Sequence, residues 1–246
     1  MKERAKIESV GYYAHILALD KCLGDLQNAI NEAGISENTI FVFTSDHGEM
    51  MGSQGVAPRQ KQVPYAESVR IPFLLKYPAM FGNKKIQVTA PINTPDILPT
   101  LLSLSGITVP EAIEGENMAV AIGNPDSKKD KAALIMNVSP FAVKMDEYRG
   151  IYTSRYAYVK NLTGAWFLYD NIEDPFQLKN LAGNPEYTDI QKMLESSLQN
   201  ELKKIGDDFQ PGEYYLKKWY KPSWIEYDSK DKRFQTGKDS AGGIIK

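Results

Sequence analysis

Cysteine is almost missing. Cys22 is the sole thiol in 246 residues, so no intramolecular disulfide can staple the fold, and a single cysteine does not assign a redox compartment. Neither charge dominates: 29 Lys plus Arg stand against 31 Asp plus Glu, a net charge of -2, so no overall field draws in nucleic acid or an anionic membrane, although a local basic patch stays open. No apolar run is long enough to cross a bilayer. Residues 1–9, MKERAKIES, have no apolar stretch of the kind a signal peptide needs, so this segment is not expected to be a secretory signal. Internal repeats and low-complexity tracts are absent too, which excludes solenoids and biased linkers. What remains is ordinary for a globular protein: 42% hydrophobic and 24% charged, with enough length for a sizeable core.

The elements follow from periodicity. Tyr12, Ile16, Leu19, Leu23, Leu26 and Ile30 recur at spacings of three and four, which predicts a helix from about Ser9 to Ala33 with one buried face, stopped by Gly34. Residues 39–44, TIFVFT, and 71–77, IPFLLKY, carry no alternation, and such short β-formers suit strands covered on both faces, as in a parallel sheet. DILPTLLSLSGI, from Asp96, is a helix pattern with Pro99 near its first turn and Gly106 past its end. Helix and strand alternate up to about residue 122, which predicts an α/β region over 1–122. Residues 123–131, GNPDSKKDK, form a polar linker. Short strands at 132–137, 150–153, 156–161 and 166–169 then predict a small antiparallel sheet, and a helix over about 185–205, with Ile190, Met193, Leu194, Leu198, Leu202 and Ile205 in one stripe, completes a subdomain over 132–205. The tail, 206–246, is rich in tyrosine, tryptophan and lysine and has no clear period.

One position does not read as scaffold. The strand at 39–44 stops abruptly at Ser45-Asp46-His47-Gly48, and in open α/β sheets ligands sit beyond the carboxyl ends of strands. A carboxylate and an imidazole are both donors for a divalent cation, and Gly48 lets the backbone turn tightly beside them. By residue type alone, Asp46 capping the next segment and His47 as a hydrogen-bonded core residue would be the better account. Lys61, in the polar stretch Arg59-Gln60-Lys61-Gln62, would likewise pass for a solvated loop lysine.

The surroundings change both estimates. SDHGEMMGSQG, Lys61, YAESVRIPFLLKYP and TPDILPTLLSLSGITVP, in that order, resemble the C-terminal half of the sulfatase family, within the alkaline-phosphatase-like superfamily. YYAHILALDKCLGDL resembles the family's preceding helix, and YRGIYTSRYAYVKN with FLYDNIEDPFQLKNLAGNPEY its small C-terminal sheet, so the likeness spans about residues 10–205. The resemblance implies that Asp46 and His47 ligate one calcium or magnesium ion and that Lys61 contacts the sulfate of a sulfate ester, for which a glycan sulfate is a candidate. A divalent cation and an ammonium offset charge on sulfate oxygens without any proton transfer. Two-metal phosphatase-type relatives need a further histidine downstream; the only other one here is His15, inside the first helix, which favours a one-metal site.

The departures from the family are as informative. Its nucleophile is a cysteine or serine in C-x-P-S-R, matured to formylglycine, and that string does not occur; no catalytic nucleophile is assigned to this chain. Cys22, beside Leu23 on the first helix, is expected to be a buried inert thiol. Gln54 stands where many relatives carry histidine. The leading expectation is therefore part of a sulfatase, lacking the N-terminal half that bears formylglycine and inactive alone. The alternatives are a non-catalytic sulfatase-like binding or structural module and a phosphonate or phosphate monoester hydrolase of the same superfamily. A periplasmic or secreted location is suggested by resemblance only. Trp166 is expected in the core, with Trp219 and Trp224 either core or sugar platforms.

Overall fold

The computed structural model describes residues 2–82, 84–138 and 146–219; Trp224, and with it most of the aromatic tail, lies outside the described residues. The chain groups into two compact units, Met1–Lys85 and Ile86–Lys246.

In the first unit the helix α1 runs Lys2–Glu32, longer than its apolar stripe, and Gly34 follows at φ 69°, the left-handed turn expected of its stop signal. The expected buried face is not there: no residue of α1 is buried, and Ile16, Leu19 and Leu26 are exposed. Much of the stripe faces a narrow two-stranded ribbon, where Ile16, Leu19 and Leu23 line a shallow groove with Phe41, Phe43 and Leu74. Cys22 lies off that line and is exposed, which corrects the reading of a buried thiol. His15 is exposed as well, its Nδ1 3.0 Å from the Gly11 carbonyl oxygen one turn back.

The ribbon itself is β1 (Phe41–Thr44) paired with β2 (Phe73–Lys76), and the pairing is antiparallel, Phe41 opposite Lys76 and Thr44 opposite Phe73. The expected parallel, doubly covered strands are therefore corrected. A four-residue strand is too short to display alternation, so an unbroken apolar run does not report cover on both faces; Leu74, in its middle, is 62% exposed. Between the strands lie the loop over 45–65 and the short helix α2 (Ala66–Val69), and after β2 comes α3 (Pro78–Phe81).

In the second unit α4 (Thr94–Leu104) starts with a reciprocal cap: Thr94 N–H donates to the Asn93 side chain, and Asn93 N–H donates to Asp96 Oδ2 at 2.7 Å. Asp96 is buried, and its other oxygen accepts from Glu116 N–H at 2.8 Å while Lys131 Nζ stands 3.1 Å away. Lys128 and Lys131 also close on Glu116, so the polar stretch 123–131, which begins at the end of α5 (Ala119–Gly123), is fastened down rather than free.

The small sheet appears as expected, a meander β3 (Ala133–Asn137), β4 (Tyr148–Tyr152), β5 (Tyr156–Asn161), β6 (Gly164–Asp170) in sequential antiparallel order. Register explains its core. Leu134, Ile151, Tyr158 and Leu168 are successive cross-strand partners, one apolar row across four strands. The helix α6 (Thr188–Lys204) packs Leu194, Leu198 and Leu202 with that row, while Met193 and Ile205, expected in the same stripe, are exposed. Each of the buried leucines removed from water contributes about 1.5–3 kcal/mol. The segment beyond, without period in the sequence, holds a further helix, α7 (Gly212–Trp219), which buries Tyr215.

Candidate functional site

β1 delivers its last residue, Thr44, to the start of an irregular turn, and the three residues that follow are bound to one another. Ser45 Oγ donates to the His47 carbonyl oxygen at 2.9 Å, and His47 N–H donates to Asp46 Oδ1 at 2.9 Å. That backbone hydrogen bond is the main reason the exposed Asp46 carboxyl sits below the ordinary carboxylate range.

The His47 ring fits a cation-binding role. Its Nδ1 lies 2.8 Å from the Gly48 carbonyl oxygen, an acceptor only, so the ring proton belongs on Nδ1 and Nε2 presents a lone pair. Nε2 in turn faces Asp46 Oδ2 at 3.3 Å. A cation placed beside these two acceptors would be shared by both. Asp46 and His47 thus suit a divalent ion as two donors, and among the described residues no third Asp, Glu, His or Cys joins them to make a larger cluster. The remaining positions would have to come from water or from donors elsewhere.

Gly48 is needed for a reason other than a tight turn. A Cβ built there would stand 1.9 Å from the Glu67 carbonyl oxygen, and Gly48 N–H donates to the Ser68 carbonyl oxygen at 2.7 Å. The backbone of α2 is pressed against the turn. Lys61 reaches the same place through its main chain: Ser68 Oγ donates to the Lys61 carbonyl oxygen, and Met50 N–H donates to Gln60 at 3.4 Å. The Lys61 side chain is exposed, and no hydrogen bond or ion pair engages its Nζ among the described residues. So the turn with Asp46 and His47 and the loop with Lys61 run side by side, with Ser68 between them.

Sequence reasoning missed the residues that do this joining. Ser68 stands before an apolar strand, where a serine by type is a cap or a solvated residue. Glu49 is likewise ordinary by residue type, yet its Oε1 accepts from Arg59 N–H at 2.7 Å and so braces the loop ahead of Lys61. Arg59, at φ 71°, also clasps Glu8 on α1 at 2.9 Å. Glu49 and Ser68 lie inside stretches that carry the family resemblance, but only the spatial contacts identify what they join.

Comparison with known proteins gives the setting. Residues 59–204 match the description N-sulphoglucosamine sulphohydrolase, C-terminal, and residues 8–107 match Sulfatase. The chain belongs to the sulfatase family. An ulvan-active sulfatase of Formosa agariphila is 48% identical over 218 residues, 88% of this chain and 43% of that protein. An endo-4-O-sulfatase of Bacteroides thetaiotaomicron is 34% identical over 82% of this chain and 43% of its own length. Among solved structures, the yidJ protein of Bacteroides fragilis superimposes with a TM-score of 0.68 at 30% identity, covering 82% of this chain and 43% of that one. A protein solved with its substrate D-glucosamine-2-N,6-O-disulfate superimposes with a TM-score of 0.66 at 28% identity, over 80% of this chain and 40% of that one. This sulfatase chain therefore spans less than half the length of the relatives it matches and carries the C-terminal part of the alkaline-phosphatase-like α/β fold.

Proposed function

We propose that this chain supplies two metal donors, Asp46 and His47, and one sulfate-contacting cation, Lys61, to a sulfatase that hydrolyses sulfate esters of glycans. The observation that carries the reading is the Asp46–His47 pair: an ionised carboxylate and an imidazole Nε2 turned on each other at 3.3 Å, with the ring's other nitrogen committed to a backbone carbonyl. Sulfatase family membership, the similarity to an ulvan-active sulfatase and an endo-4-O-sulfatase, and the likeness to a protein bound to a sulfated glucosamine support sulfated glycans as the substrate class.

A divalent ion, calcium or magnesium, when bound supplies positive charge against the sulfate oxygens. The chain's own residues do the rest of what this part contributes. His47 N–H holds the Asp46 carboxylate in place, the Gly48 carbonyl keeps the His47 ring in the tautomer that offers Nε2, and the Lys61 ammonium offsets charge on the ester without transferring a proton. No C-x-P-S-R string occurs in these 246 residues, so the chain positions and neutralises but provides no atom that attacks sulfur.

Calorimetric titration of the chain with calcium tests the site. Weak binding that disappears in both Asp46→Ala and His47→Ala is expected; a tight site indifferent to Asp46→Ala would overturn the assignment. By the same logic the chain alone should not turn over an aryl sulfate at any calcium concentration, whereas in an enzyme completed with a matured C-x-P-S-R half, Lys61→Ala should cost roughly 10²-fold in turnover. Turnover by the purified chain that vanishes in Asp46→Ala would point to a nucleophile of a different kind.

A further inference from the structure

Ser68 is 2% exposed, and its carbonyl and its hydroxyl have different partners. Its carbonyl oxygen receives the Gly48 N–H at 2.7 Å, and its hydroxyl donates to the Lys61 carbonyl oxygen. The first bond is main chain to main chain and survives a change of side chain; the second belongs to the serine. Lys61 itself lies in a stretch, residues 56–65, with no helix or strand of its own, so its backbone takes its place from tertiary bonds such as this one. A flexible lysine side chain on a loosely placed backbone would spread its ammonium over many positions, and misplacement by about 1 Å can cost on the order of 10²-fold in a reaction that depends on orientation. We propose that Ser68 is a positioning residue, whose hydroxyl sets where the Lys61 ammonium stands relative to the Asp46–His47 pair so that both address one sulfate group. The inference rests on the reading of Lys61 as a sulfate contact and adds to it the residue that places it.

The test uses a full-length sulfatase carrying these 246 residues, assayed with an aryl sulfate and with inorganic sulfate as a competing ligand. Ser68→Ala should raise the inhibition constant for sulfate, and KM, roughly tenfold, and Ser68→Thr, which keeps the hydroxyl, should restore both to within about threefold. Calcium affinity should be unchanged in Ser68→Ala, because the tie to Gly48 is made by the backbone. A double-mutant cycle separates positioning from mere stability: in a Lys61→Ala background, Ser68→Ala should cause almost no further loss. Should Ser68→Ala fail to fold, Ser68→Cys, of similar size but a weak donor, gives the same comparison. Wild-type sulfate affinity in Ser68→Ala, or a loss that is as large without Lys61 as with it, would overturn the inference. If instead Lys61→Ala alone leaves sulfate affinity and turnover untouched, it is the assignment of Lys61 that falls, and the role of Ser68 with it.

Discussion

At Gly48 a single methyl group decides whether the turn and α2 can touch. The atom that an alanine would add lies 1.9 Å from the Glu67 carbonyl oxygen and 3.2 Å from that of Ser68, and both obstacles are backbone, which cannot swing aside as a side chain end can. Gly48→Ala must therefore push Glu67 and Ser68 off the turn and break the bond from Gly48 N–H, disturbing Asp46, His47 and Lys61 together. On the proposed metal assignment, calcium affinity in this variant is expected to fall at least about tenfold, roughly 1.4 kcal/mol, by calorimetry. Gly24→Ala is the control: it sits within α1 with nothing near its new Cβ, and should leave binding unchanged. Normal calcium binding in Gly48→Ala would mean that the turn is not held by α2.

Ion pairs as well as the leucine stripe hold α6 on the sheet. Arg149 and Lys160 are cross-strand partners on β4 and β5, two cations that would repel if left alone. Lys160 meets Glu195 of α6 at 2.7 Å, and fully buried Arg149 meets Asp207, just beyond the helix, while Phe209 and Tyr215 stack near its guanidinium at 4.7 and 5.4 Å. The side chain of Asp207 is itself largely buried, so Asp207→Ala would strand a cation without solvent. Urea unfolding should show a loss of about 3–5 kcal/mol, comparable to the roughly 2–5 kcal/mol expected for Leu198→Ala in the apolar row; a loss under about 1 kcal/mol at Asp207 would show that water reaches Arg149.

The same lock carries a pH dependence. Burial pushes the Asp207 carboxyl up, but hydrogen bonds from Arg149, Tyr215 and the Phe209 N–H outweigh it and hold it below the usual carboxylate range. Glu195 shows the same balance, burial opposed by Lys160, Tyr158 and Gln199, and Asp170 does so through Arg155. Carboxyls that bind protons less readily folded than unfolded add stability that is complete above their unfolded pKa, near about 4, and is lost as pH falls through the lowered folded values. The urea midpoint should thus be flat around neutrality and drop below about pH 4, more shallowly in Asp207→Asn; a midpoint that rises on acidification would contradict the assignment.

For the molecule as a whole, the first unit leaves much apolar surface in water. Val10, Leu17 and Leu19 of α1 are 74, 71 and 56% exposed, and Leu74 of β2 is 62% exposed. A ribbon that pairs with no third strand among the described residues is a poor shield for such a helix and a ready template for pairing. The purified chain is expected to self-associate, with sedimentation showing mass that rises with protein concentration, and Leu17→Glu together with Leu74→Lys should lower it. A monodisperse monomer across micromolar concentrations would mean that this surface tolerates water.

The sequence alone determined the elements whose period is long or repeated: the helices α1, α4 and α6, the four-strand meander, and the Asp46-His47 segment beyond a strand end. Side-chain period and turn chemistry act locally, so they survive in the string of letters. Tertiary structure alone decided the antiparallel pairing of β1 with β2, because four residues are too few to reveal which faces are covered, and the exposure of Cys22, because a stripe on a helix says what could be buried and not what comes to bury it. Tertiary structure also placed Ser68 between Gly48 and Lys61. Hydrogen bonds that join residues distant in sequence depend on where the backbone has already gone, and a serine's letter is the same whether its hydroxyl meets water or another strand of the chain.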